Sequence, residues 1–163
     1  MVREISAGGA VVRHMAGKWW VAAIEPRKEP SPAKRPTAKQ KSQKVTLALP
    51  KGLVDPGEKP ECAAQREIRE ETGVEAELVA KLTDIKYVYT RSWGDQERVF
   101  KIVSFYLFRY RNGEIGKISP EMEIEVKQAL WLPLEEAGKK LAYSGEKDVA
   151  RRACEYVAAH PDL

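Results

Sequence analysis

The sequence predicts an α/β fold built around a mixed sheet. Segments rich in apolar, β-branched and aromatic residues come before, between and after segments of helical periodicity, the order expected when helices cover one sheet. In the best-defined helical segment, "PECAAQREIREET", Ala64 and Ile68 form an apolar pair suited to packing on such a sheet. With 163 residues and a hydrophobic fraction of 43%, the chain has the length of one ordinary domain and the material for a core.

The elements follow in order. "ISAGGAVVRH" and "KWWVAAIEP" read as two strands joined by a turn at Gly17–Lys18. Composition then changes. Residues 26–44, "PRKEPSPAKRPTAKQKSQK", hold prolines, lysines and arginines and almost nothing apolar, too little to order the segment by burial. It is expected to be a flexible basic insertion in a single domain of residues 1–163, either a plain surface loop or a flap near a phosphate-bearing ligand. "VTLALP" resumes as a short buried strand, and Asp55-Pro56-Gly57 supplies turn chemistry. A helix is expected from Pro60 to Thr72, with Gly73 where helices commonly stop. "EAELVAKLTDIKYVYT" gives one or two strands, "RSWGDQE" a hairpin loop, and "RVFKIVSFYLFRY" a long strand. A turn at Asn112–Gly113 precedes a further strand in "EIEVKQALWLP". "LEEAGKKLA" and "EKDVARRACEYVAAH" close the chain as two helices, and no internal repeat is present.

Composition narrows the function. The formal net charge of +4 suits an anionic partner but is too mild to define one. Cys62 and Cys154 are the only cysteines, and neither has a second cysteine or a histidine at metal spacing. A zinc site and a disulfide scaffold are therefore not expected, and the setting reads as reducing and cytoplasmic. No apolar run is long enough to span a membrane, and "MVREISAGGAVVRH" lacks a signal-peptide pattern.

The helix at 60–72 is crowded with acid. Residues three and four apart share a helix face, so Glu67, Glu70 and Glu71 are neighbours. Ala63, one turn before Glu67, is expected to leave room for something to approach. Like charges at this spacing destabilise a helix by a few tenths of a kcal/mol per pair and raise carboxylate pKa values unless a cation compensates. Arg66 and Arg69 are close by, so a solvated helix laced with ion pairs explains the charge alone. A divalent cation site explains the crowding together with the glycine-bearing approach "LPKG". Oxygen ligands without His or Cys suit Mg²⁺ or Mn²⁺. Such a cation would neutralise phosphate charge and lower the pKa of a bound water, whose proton a spare carboxylate could take.

Gly52, Glu58 and the run Arg66-Glu67-Ile68-Arg69-Glu70-Glu71-Thr72-Gly73-Val74 together resemble the Nudix box at every specified position. The surrounding strand order is also similar to a Nudix domain. The resemblance implies an α/β/α sandwich with the box as loop–helix–loop, and metal-dependent hydrolysis of a nucleoside diphosphate linked to another moiety. It implies that Glu67, Glu70 and Glu71 bind Mg²⁺ (or Mn²⁺), with Glu70 and Glu71 at the chemistry and the Lys51 carbonyl as a further ligand. Arg66 and Glu58 would form a supporting ion pair, and Gly52 would permit the loop's tight approach beside the substrate. Family members often add an acid from the strand just before a Trp. Glu125, six residues ahead of Trp131, is the candidate, with Glu123 next; a solvated strand residue is the equal alternative. The resemblance does not name the catalytic base.

"LPKG" and "YVYTRSWGDQERVFKIVSFYL" are loosely similar to diadenosine polyphosphate hydrolases. Lys51 or Lys101 could bind phosphates as a point charge. Tyr87, Tyr89 or Trp93 could stack on a base, or the tyrosines could be strand residues in or near the core. Lys101 interrupts the core-like "FKIVSF", so it is expected either at a sheet edge facing water or against a phosphate. The expected partner is a nucleotide, foremost a dinucleoside polyphosphate, with a nucleoside triphosphate or ADP-ribose as alternatives. Nucleic acid is not expected, because the aromatic–basic alternation of an RNA platform is missing.

Overall fold

The computed structural model describes residues 2–27, 45–91, 94 and 96–163. Most of the basic insertion, residues 28–44, and Trp93 lie outside the described residues. The elements are β1 (Val2–Met15), β2 (Lys18–Pro26), β3 (Lys51–Leu53), α1 (Pro60–Thr72), β4 (Val74–Thr90), β5 (Arg98–Gly113), a 3₁₀ turn (Pro120–Met122), β6 (Val126–Pro133), α2 (Leu134–Lys140) and α3 (Ser144–Ala159).

The sheet runs β4-β5-β1-β2-β6. β1 and β5 are parallel from Val2–Val99 to Val12–Arg109, and the other pairs are antiparallel. The second edge of β1 is shared: Ser6, Ala7 and Gly8 pair with β3, and Val12 to Met15 pair with β2. The sheet therefore forks along β1, and β3 occupies the fork.

Successive strand residues point to opposite faces. Ala7, Val11, Tyr106 and Phe108 pack with Ala63, Ala64 and Ile68 of α1. Ala10, Val12, Phe105 and Leu107 pack with Ala137 of α2 and Val149, Ala153 and Val157 of α3. The result is three layers, α1 on one face and α2 with α3 on the other, the α/β/α sandwich expected.

Several local expectations need correction. The first hairpin turns at Ala16–Gly17, one residue early, where Met15 and Lys18 are the last pair. "VTLALP" is not a regular strand: Leu47 and Ala48 make isolated bridges to Leu141 and Ile24, two different partners, and continuous pairing starts only at Lys51. β4, expected as one or two strands, is one, with register shifts at three points along β5. Asn112 and Gly113 belong to β5 because β4 begins opposite them, at Val74 and Glu75; the chain turns at Ile115–Gly116. The acidic "EIE" lies in a turn ahead of β6, with Ile124 exposed.

Candidate active site

Helix α1 starts with Pro60 at its first position, where a missing N–H costs nothing. It ends at Gly73, whose left-handed φ of 83° lets its N–H reach the Arg69 carbonyl at 3.0 Å. Burial of Ala63, Ala64 and Ile68 against the sheet fixes the rotation of the helix. Ala63 is thus a core residue and leaves no open approach, contrary to the sequence expectation.

That rotation turns two acids inward. Glu67 is 7% exposed and Glu71 4%. The Lys51 backbone N–H donates to Glu71 Oε1 at 3.1 Å. A Cβ on Gly52 would lie 2.2 Å from the Glu67 carboxylate, so any other residue there would displace the acid or the strand. Glu67 and Glu71 lie one helical turn apart on that inward face. Burial, and then the charge of Glu67, push the Glu71 carboxyl up to about 9. Burial also raises Glu67, against the pull of the Arg66 guanidinium. Two like charges buried side by side disfavour ionising both carboxyls at once.

Arg66 is the hub beside this pair. Its Nε and Nη2 grip Glu58 Oε2 and Oε1 at 2.9 and 3.0 Å, a bidentate fork. Its Nη1 donates to Glu67 Oε1 at 3.0 Å and to Glu70 Oε2 at 3.2 Å. Nη2 also reaches the Leu53 carbonyl at 3.1 Å. The guanidinium, with the Asp55 N–H, holds the Glu58 carboxyl down to about 2. The expected Arg66–Glu58 pair is therefore present and ties the loop after β3 to α1.

Among the described residues, no three His, Cys, Asp or Glu side chains are gathered into a ready-made metal cage. The carboxylates have other partners instead: an Arg66 N–H bridges Glu67 to Glu70, and Glu71 accepts the Lys51 N–H. The donor set nevertheless fits a hard divalent cation: it is all oxygen, it carries excess negative charge, and its buried pair needs a positive partner.

β3 carries the site through to the other face. The Lys51 ammonium lies 2.9 Å from Glu146 Oε2 and donates to the Leu49 carbonyl at 3.3 Å. It stands in a cleft of about 670 Å³ whose walls include Tyr87, Val103, Phe105, Tyr143 and Glu146. Tyr87 and Tyr143 are both open, at 44% and 51% exposure. Tyr143 and Glu146, at the start of α3, were not singled out from sequence: a tyrosine and a glutamate at a helix start carry no motif.

The remaining candidates fall elsewhere. Lys101 is not an edge residue, because β5 is paired on both sides. It sits opposite Tyr87, two residues from the cleft-lining Val103, and forms an ion pair with Glu4 at 3.4 Å. Tyr89 is half-buried and donates to the same Glu4 at 2.5 Å. Glu125 and Glu123 are exposed in the turn before β6, where their carbonyls accept from the Arg27 backbone and side chain. Among the described residues, no hydrogen bond or ion pair joins Glu125 to the acids of α1.

A family model described as "NUDIX domain" matches residues 19–153. The MutT4 protein of Mycobacterium tuberculosis is 33% identical over 158 residues, which cover 96% of this chain and 56% of that protein. An 8-oxo-(d)GTP phosphatase of Mycolicibacterium smegmatis is 33% identical over 105 residues, 64% of this chain and 29% of that protein. The chain therefore spans about half the length of the first relative and less than a third of the second. A crystal structure of a C. elegans Ap4A hydrolase binary complex superposes with a TM-score of 0.69, covering 96% of this chain and 98% of that one; at 22% identity this is a likeness of fold.

Proposed function

The chain belongs to the NUDIX-domain family, and on that premise we propose that it hydrolyses a diphosphate linkage in a nucleoside diphosphate derivative, foremost a dinucleoside polyphosphate. The observation that carries this reading is the buried Glu67–Glu71 pair, tied through Lys51 to an aromatic-walled cleft. Glu67, Glu70 and Glu71 would hold Mg²⁺ or Mn²⁺, with the Lys51 carbonyl as a further donor. Bound there, the cation supplies charge neutralisation on the phosphates and a lowered pKa for a coordinated water.

This chain's residues do the rest. Arg66, braced on Glu58, fixes the glutamates in place. The Lys51 ammonium offers a point charge to the phosphates, and Lys101 stands further along the same face of the sheet. Tyr87 and Tyr143 present open rings on which a base can stack. Two such rings suit a substrate with a nucleoside at each end.

A second reading has its own support. The 33% identity to an 8-oxo-(d)GTP phosphatase over 64% of this chain favours an oxidised nucleoside triphosphate. Phosphate and nucleotide release from dinucleoside polyphosphates, ordinary and oxidised nucleoside triphosphates, ADP-ribose and diphosphoinositol phosphates, with Mg²⁺ and with EDTA, separates the two. The first reading expects the highest kcat/KM on dinucleoside polyphosphates. A preference for the oxidised triphosphate selects the second, and no Mg²⁺-dependent release from any nucleotide overturns both.

A further inference from the structure

Glu146 is a buried acid that the chemistry above does not use. It is 3% exposed, in the first turn of α3, on the face of the sheet opposite α1. Both of its oxygens are engaged by one short segment. Oε1 accepts the Leu49 N–H at 2.6 Å, and Oε2 faces the Lys51 ammonium at 2.9 Å. Lys51 then donates its own N–H to Glu71. One carboxylate thus holds the backbone two residues before the metal loop and the side chain of the cleft's lysine.

The two contacts do different physical work. The Leu49 N–H bond is positional: it fixes the chain that presents the Lys51 amide to Glu71. The Lys51 pair is electrostatic. A phosphate entering the cleft must take or share an ammonium already matched to a carboxylate, and the carboxylate itself repels the incoming anion. Its side chain is 4% exposed and that of Lys51 28%, so water screens the pair less than a surface one.

We propose that Glu146 is a specificity-determining residue: by pairing with the Lys51 ammonium, it sets how strongly the cleft grips the phosphate chain of its substrate. This rests on the nucleotide-hydrolase reading for its biological meaning, but the pairing is testable without turnover. Removing the negative charge while keeping the Leu49 bond frees Lys51 and relieves the repulsion, and both changes act in the same direction. The grip should tighten most for the most highly charged chains.

The test measures binding of inorganic tripolyphosphate and of pyrophosphate to metal-free protein by calorimetry, at low and high salt. Glu146→Gln keeps a carbonyl for the Leu49 N–H. It should bind tripolyphosphate about three- to tenfold more tightly at low salt, with a smaller gain for pyrophosphate and little gain at high salt. In a Lys51→Met background, the same substitution should give less than half that gain, the coupling expected of contacting residues. Glu146→Ala, which also removes the Leu49 acceptor, should lower Tm where Glu146→Gln does not. The proposal is overturned if Glu146→Gln binds tripolyphosphate no better than wild type, including no detectable binding by either, or if the gain survives unchanged without Lys51. A chain that hydrolyses no nucleotide would sink the functional reading and leave this result standing.

Discussion

Gly52 and Glu67 stand closer together than any side chain at position 52 would permit. Placing a methyl group 2.2 Å from the Glu67 carboxylate forces the acid or the β3 backbone to move. Gly52→Ala should therefore cost about 1–3 kcal/mol of stability, in the range of overpacking substitutions. A denaturation midpoint equal to wild type would contradict this contact. The Glu67–Glu71 pair makes a second prediction. The Glu71 carboxyl is raised from an ordinary 4.5 to about 9 in the fold. A raised carboxyl stabilises the fold fully below its unfolded pKa, and that contribution is lost as pH rises through the folded value. In EDTA, Tm should fall as pH rises from about 5 towards 9, and Glu71→Gln should flatten that fall and raise Tm at its alkaline end. A wild-type Tm that stays level over this range would show that the pair carries no buried proton.

Arg66 acts at the scale of elements, joining the loop after β3 to α1. Its contacts reach Leu53, Glu58, Glu67 and Glu70. Arg66→Ala should lower turnover by roughly ten- to a hundredfold, with weaker metal affinity, because it loosens the acids without removing one. Equal turnover and equal metal affinity would make Arg66 a surface charge only. Ile68 anchors the other side of the same helix and is fully buried between α1 and the sheet. Ile68→Ala should destabilise by about 2–5 kcal/mol, read from the urea midpoint; a cost below ~1 kcal/mol would mean that the helix is not docked there. Helix α1 was legible in the sequence to the residue because its signals are local: a proline at the start, a glycine at the stop and an apolar stripe between. "VTLALP" and "EIEVKQALWLP" were misread because strand length depends on the partner. Leu47 and Ala48 have two different partners, and Ile124 and Glu125 precede the first residue that β2 can pair.

At the scale of the molecule, the fork in the sheet sets the arrangement. β3 bridges the acids under α1 and the cleft under α3, through the two ends of Lys51. The mixed sheet with its helices and the acids of α1 were readable from alternation and spacing within short windows, and the three-layer arrangement from the resemblance of the box. Glu146 was not, since its partner Leu49 lies 97 residues away and nothing in "SGEKDVARR" marks that glutamate from its charged neighbours. Ala63 was misjudged for a related reason: a small residue reads as open space in a sequence, whereas here the sheet fills it. In the function proposed above, Glu67, Glu70 and Glu71 of α1 hold a cation that drives nucleotide hydrolysis. The most direct measurement is steady-state turnover on the best nucleotide of the panel, for wild type, Glu70→Gln and Glu71→Gln, each with Mg²⁺ and with EDTA, alongside circular dichroism. The prediction is Mg²⁺-dependent turnover in wild type, a loss of about a hundredfold or more in both variants, and unchanged secondary structure. Near-normal Mg²⁺-dependent turnover in both folded variants, or full wild-type turnover in EDTA, would contradict it.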